Sequence, residues 1–171
     1  MRAAAATDLV KKGRPARAAV AKARDRAKDK AVYEEVMLRI DCGTDEQSLT
    51  IGKKVDVNID SSDFDLITHK DGKKYARLKI IVNAANNTDG ELKLVIRKAT
   101  FVLLDKKHDM PVQGPDKKFF ERTLAARMPK QFEYGDFLPP TYRKGTRCIV
   151  VFEFAVGEEK GLIRTAVLEL K

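Results

Sequence analysis

The stretch RLKIIVNAANNTDGELKLVI, residues 77–96, decides the fold. Leu78, Ile80 and Val82 alternate with Arg77, Lys79 and Ile81, the period of a strand with one buried face. Asn86-Asn87-Thr88-Asp89-Gly90 then supplies turn residues that tolerate positive φ. Leu92, Leu94 and Ile96 return in the same period, so the stretch reads as a β-hairpin. Thr100 to Leu104 extends the returning strand or begins another.

Working outward, the same pattern recurs. Cys148, Val150, Phe152, Phe154 and Val156 form one strand face. Gly157-Glu158-Glu159-Lys160-Gly161 turns the chain, and Leu162, Ala166, Leu168 and Leu170 complete the return. Upstream, Val55, Val57 and Ile59 alternate with Asp56, Asn58 and Asp60, and Phe64, Leu66 and Ile67 precede the turn Lys70-Asp71-Gly72-Lys73. Val36, Leu38, Ile40 and Cys42 alternate with Met37, Arg39 and Asp41 and read as a further strand. With no βαβ rhythm, the pattern gives an antiparallel β-sandwich of seven or eight strands, with a Greek-key barrel as the competing closure.

Two segments break the strand rhythm. Residues 108–145 hold five of the six prolines and form an excursion too long for a simple connection. Within it, Phe120, Leu124 and Met128 recur at intervals of four, which predicts one short helix near 116–128. Residues 1–31 are the second. Ala, Lys and Arg dominate, and Pro15 suits a first helical turn. Few bulky apolar side chains accompany them, so this arm is expected to be partly helical or disordered, and marginal as a helix alone. The organisation is therefore an arm over 1–31 and a sandwich domain over 32–171.

Charge is divided the same way. The net charge is +9, yet residues 1–30 carry ten Lys/Arg against three Asp. The rest of the chain is close to neutral, so electrostatic binding is assigned to the arm. Its candidate contacts with nucleic acid or an acidic partner are Lys11, Lys12, Arg14, Arg17, Lys22, Arg24, Arg26, Lys28 and Lys30.

No apolar run reaches the roughly 20 residues of a membrane span. The N-terminus lacks the apolar core of a secretory signal, which favours a soluble intracellular or organelle-interior location over secretion. An Ala- and Arg-rich organelle transit peptide is the alternative reading of the first 24 residues.

Motifs of chemistry are missing. There is no GxSxG, P-loop, GxGxxG or HExxH pattern. His69 and His108 lie in charged stretches without a ligand partner at useful spacing. Asp56, Asn58 and Asp60 put oxygens on one strand face, a weak calcium pattern that reads first as a solvated face. Cys42 and Cys148 read as buried core thiols, with a cross-sandwich disulfide as the alternative. The expectation is a non-enzyme with no cofactor and no metal. Six of the twelve aromatics fall within 119–142: Phe119, Phe120, Phe132, Tyr134, Phe137 and Tyr142. They either cap one end of the sandwich or form an exposed partner interface.

The run from Tyr75 through Val82 and Asn87, then Phe101-Val-Leu-Leu-Asp105, Lys144-Gly145 and Val150-Val151-Phe152-Glu153-Phe154, resembles immunoglobulin-like accessory domains of bacterial cell-envelope proteins. The resemblance covers about residues 75–170. It implies an immunoglobulin-like sandwich that binds or scaffolds, with no catalytic residues. Together these readings give a structural or interaction module. It would dock into a larger assembly through a protein partner, its arm contacting an acidic or nucleic-acid component. The alternatives are a nucleic-acid-binding protein and an envelope-associated binding module.

Overall fold

The computed structural model describes residues 3–68, 70, 72–104, 106–112, 120–138 and 141–171. Among these residues three helices precede ten strands: α1 Ala3–Lys12, α2 Arg14–Arg26, α3 Ala31–Cys42, β1 Ser48–Ile51, β2 Val55–Thr68, β3 Lys74–Asn86, β4 Leu92–Val102, β5 Lys107–Met110, β6 Phe120–Leu124, β7 Pro129–Leu138, β8 Arg147–Val156, β9 Glu159–Arg164 and β10 Leu168–Glu169. One sheet has the order β1-β2-β3-β7. The other runs β10-β8-β4-β5, with β6 also on β4 and β9 also on β8. Every pairing is antiparallel. No pairing joins the two sheets among the described residues, so the architecture is a sandwich and not a closed barrel.

The core lies between the sheets. Leu78, Ile80 and Val82 of β3 face Phe101, Phe152 and Phe154 of the second sheet, all at 1% exposure or less. Two of the long strands, β2 and β4, change phase at a bulge. In β2 the register shifts between Ile59 and Ser61, so odd residues Val55 and Val57 point inward before it and Phe64 after it. In β4 the shift falls between Ile96 and Lys98, and Ala99 and Phe101 take over the inward role from Leu94 and Ile96. One extra residue per strand reverses which parity is buried. Sequence runs that looked like separate strands are thereby single strands of 14 and 11 residues.

Asn86 closes the hairpin of residues 77–96. It is 2% exposed. Its amide nitrogen lies within hydrogen-bonding reach of the Gly90, Leu124 and Ala125 carbonyls, and its oxygen accepts from the Thr88 amide and hydroxyl. A buried amide satisfied on both sides locks the turn and couples it to the end of β6.

Two sequence expectations are corrected. Residues 36–42 are helix α3, not a strand. Val36, Met37 and Ile40 meet α1 and α2, while Leu38 turns the other way onto the second sheet. Positions 36 and 40 satisfy both a period of two and a period of 3.6, so the short apolar run is ambiguous. Gly43, at φ 75, ends the helix in the left-handed conformation that glycine adopts without penalty. The helix expected near 116–128 is also absent where the structure describes it. Residues 120–124 form β6 on β4, and β7 begins at Pro129. Residues 116–119 lie outside the described residues. Leu124 packs inward and Met128 is 57% exposed, so the spacing of four did not mark a buried helical face.

Strand β8 explains why a helix sits on the second sheet. Cys148, Val150 and Phe152 face the sandwich core. Ile149 and Val151 face outward, beside Val102 of β4, and are buried there under Leu38. A strand apolar on both faces needs cover on both. Helix α3 supplies it, and α1 and α2 stack on α3 through Ala6, Ala16 and Val20.

Candidate functional site: a cationic helical layer

The arm is a folded layer. Ala16 and Val20, four residues apart on α2, point inward at 8% and 3% exposure. Arg14 and Lys22 fall on the opposite side of the same helix at about 100° per residue, Arg26 lies on its flank, and all three are exposed. Lys11 and Lys12 end α1, where positive charge suits the helix dipole. Helix α1 forms where little structure was expected because Ala6, Leu9 and Val10 find an apolar partner in α3.

Polar contacts tie this layer to the sandwich. Arg17 Nε donates to the Asp41 carboxylate at 2.8 Å, and its guanidinium also donates to the Leu104 carbonyl. Lys107 Nζ donates to the Asp41 carbonyl. Arg147 donates to the Ala31 carbonyl at 2.7 Å. The central tie is Asp45, which accepts from Arg39 at 2.8 Å and from Arg164 at 3.2 Å and 2.5 Å. Arg39 also reaches Thr7 of α1 at 3.3 Å. Burial alone would raise the Asp45 pKa, but hydrogen bonds from the two arginines outweigh it and hold the carboxyl below its ordinary value.

The nine candidate cations therefore separate. Arg17 is committed to an internal ion pair, and Arg24 pairs with the neighbouring Asp25 at 2.9 Å. Lys11, Lys12, Arg14, Lys22, Arg26, Lys28 and Lys30 are exposed and make no ion pair among the described residues. They are the group free to meet an outside charge.

Two of the six aromatic candidates, Phe132 and Tyr134, are buried. Phe132 and Tyr134 alternate inward on β7 at 8% and 5% exposure, so neither offers a surface. Tyr134 OH donates to the Pro111 carbonyl at 2.8 Å, and burial raises its pKa. Phe120 is half-buried, with the Arg122 guanidinium 3.9 Å from its ring centre. Tyr142 is half-buried beside His108, their Oη and Nε2 atoms 2.6 Å apart. His108 stacks on Phe101 and is thus part of the packing of β5, not a free loop residue. Phe119 lies outside the described residues, as does His69, and of Phe137 only its backbone place on β7 is described.

Asp56 of the weak calcium pattern is already engaged. Thr50 and Asn87 donate to its two oxygens at 2.5 Å and 2.9 Å and lower its pKa. Asp60 is the unpaired residue of the β2 bulge. Among the described residues no three His, Cys, Asp or Glu side chains cluster as a metal site, and no helix is long and apolar enough to cross a membrane.

Both cysteines are free thiols. Cys148 faces the sandwich core, and Cys42, the last residue of α3, packs on the other face of the sheet. Burial pushes the Cys42 thiol up to about 12 and raises that of Cys148 as well. A thiol of that acidity is ionised to roughly one part in ten thousand at pH 8. A thiol-reactive dye should therefore label both cysteines promptly in denaturant and neither promptly in the native protein. A denatured count of zero thiols would contradict the structure.

No protein-family model matches the sequence, and no curated protein matches it. Solved structures that match part of the chain include a candidate lipoprotein from Bacillus subtilis, at 15% identity and TM-score 0.44, over 72% of this chain and 39% of that one. A structural-genomics target, SoR45, matches at 11% identity and TM-score 0.43, over 69% of this chain and 86% of that one. A Niemann-Pick type C2 protein from Japanese carpenter ant matches at 13% identity and TM-score 0.36, over 67% of this chain and 98% of that one. The chain thus spans 39% of the length of the first of these. A likeness of this degree assigns neither activity nor ligand.

Proposed function

We propose that the protein is a non-catalytic binding module that docks on an acidic protein partner through the outer face of α1 and α2. The observation that carries this reading is the set of seven exposed, unpaired cations on and just after two helices whose opposite sides are packed. A packed scaffold fixes where these charges stand, which a disordered tail would not do, so less ordering is needed on binding. Opposite charge across such a contact steers encounter and orients the partner. The aromatic side chains that would stack on nucleotide bases are mostly engaged in the core, which favours a protein over single-stranded nucleic acid.

The test is affinity capture from the source lysate with nuclease present. The baits are the wild-type chain and one carrying Lys11→Gln, Lys12→Gln, Arg14→Gln, Lys22→Gln and Arg26→Gln. An acidic protein should be retained by the wild type, released by rising salt, and lost with the variant. Capture that vanishes with nuclease, or that ignores the five substitutions, contradicts the proposal.

A further inference from the structure

Leu103, Leu104 and Lys106, between β4 and β5, form a ridge with a cleft on either side. The larger cleft, about 420 Å³, lies between this ridge, the start of α3 and residues 141–147. Its apolar wall is Leu103, Leu104 and the Tyr142 ring. The second, about 360 Å³, shares Leu103, Leu104 and Lys106 and is completed by Arg17, Asp41 and Lys107. A ligand lying across Leu104 touches both clefts at once. The first has the size of ordinary ligand pockets.

The walls are fixed by hydrogen bonds. Leu103 N donates to the Lys106 carbonyl at 2.9 Å, closing the ridge. Across the cleft, Thr146 N donates to the Arg143 carbonyl at 2.9 Å, and Arg143 N to Thr146 Oγ1 at 3.2 Å. Gly145, at φ 83, makes that turn, and its N–H donates to the Leu170 carbonyl at 2.8 Å.

Among the described residues lining the first cleft, basic side chains outnumber acidic ones. Lys106 and Arg143 are exposed and form no ion pair among the described residues; Lys106 Nζ lies 5.8 Å from the Tyr142 ring centre. Arg147 lines the floor with its Nε buried and without a hydrogen-bond acceptor, and its ion pairs to Glu35 and Glu169 are long, at 4.0 Å and 3.8 Å. Glu34 is the one acid lining the first cleft among the described residues. In the second, Asp41 is already neutralised by Arg17.

From this juxtaposition we infer that the groove across Leu104 seats an extended acidic peptide segment, one apolar side chain against Leu103, Leu104 and Tyr142, with flanking carboxylates on Lys106 and Arg143. The inference rests on the reading that the partner is an acidic protein and names how part of it would be held. Leucines beneath the cations suit a side chain flanked by acids better than a bare phosphate, which gains nothing from an apolar wall.

The experiment is NMR titration and calorimetry of the full chain with acetyl-Glu-Glu-Leu-Glu-Glu-amide and its Leu→Ser analogue. Amides of residues 103–107 and 141–147 should shift with the leucine peptide, and the serine peptide should bind about tenfold more weakly. Lys106→Glu with Arg143→Glu should weaken the leucine peptide by about tenfold or more. The charge-matched control Lys54→Glu with Lys74→Glu, remote from the groove, should change it less than about twofold. Shifts confined to α1 and α2, equal losses in both double variants, or no shift at millimolar peptide would each overturn the inference. Failure of the wider reading looks different: groove amides still respond to the peptide while lysate capture ignores the five helix substitutions.

Discussion

Replacing Asp45 by alanine is expected to destabilise the protein by about 3 kcal/mol in chemical denaturation at neutral pH, the lower end of the range for breaking a buried ion pair. The lower end applies because the Asp45 side chain is 24% exposed. Its partners are not: the Arg164 and Arg39 side chains are 5% and 13% exposed and would both be left without the carboxylate. Asp45→Asn keeps the shape and removes the charge, so it should lose most of the same energy. The pH dependence carries a sign. The folded carboxyl lies below its unfolded value, so its stabilisation is complete above the ordinary carboxylate pKa of about 3.9 and is lost as pH falls through the folded value. The stability gap between wild type and Asp45→Asn should therefore be widest at neutral pH and close in acid. A gap that is constant down to the acid unfolding limit would show that the arginines do not depend on this charge.

Leu38→Ala is expected to cost about 2–5 kcal/mol, the range for emptying a fully buried leucine site. Leu38 has 0% exposure and is the α3 side chain that packs on Val102, Ile149 and Val151. Its loss leaves the outer face of β8 without its main cover. The cavity is bordered by a β-sheet on one side and a helix on the other. If the helix can settle into the space, the cost falls toward the lower figure. Urea titration of the wild type and variant measures it, and a change below about 0.5 kcal/mol, the scale of ordinary surface substitutions, would mean that α3 is not seated there.

The hairpin at 77–96 and the strand pair after Cys148 were legible because alternation and turn residues agree with each other. What hid was anything that breaks a simple period. The bulges in β2 and β4 change the buried parity, so Thr100 to Leu104 could not be assigned to β4 from alternation alone. Helix α3 hid behind a run that fits both periods. Its signal was present elsewhere, in β8: Ile149 and Val151 are as apolar as their neighbours, and a strand apolar on both faces requires a covering layer. Helix α3 packs with the other helices over the second sheet, and no local pattern in residues 31–42 announces those neighbours.

The site was legible as chemistry and not as geometry. All nine arm cations could be named from charge density. That Arg17 is spent internally could not, because its partners Asp41 and Leu104 lie 24 and 87 residues away in sequence. The groove beside Leu104 was missed for the same reason. Leu103, Lys106, Tyr142 and Arg143 meet only once β4, β5 and the turn before β8 are in place.

All of this depends on the arm being a docked layer and not a tail. Amide hydrogen exchange of the free, full-length protein tests that most directly. The account predicts that the amides of Val20, Met37 and Leu38 are protected by about a hundredfold or more, with Leu38 approaching the sheet residue Val150. Exchange of residues 14–42 at the rate of unfolded peptide, beside a protected sandwich, would contradict it.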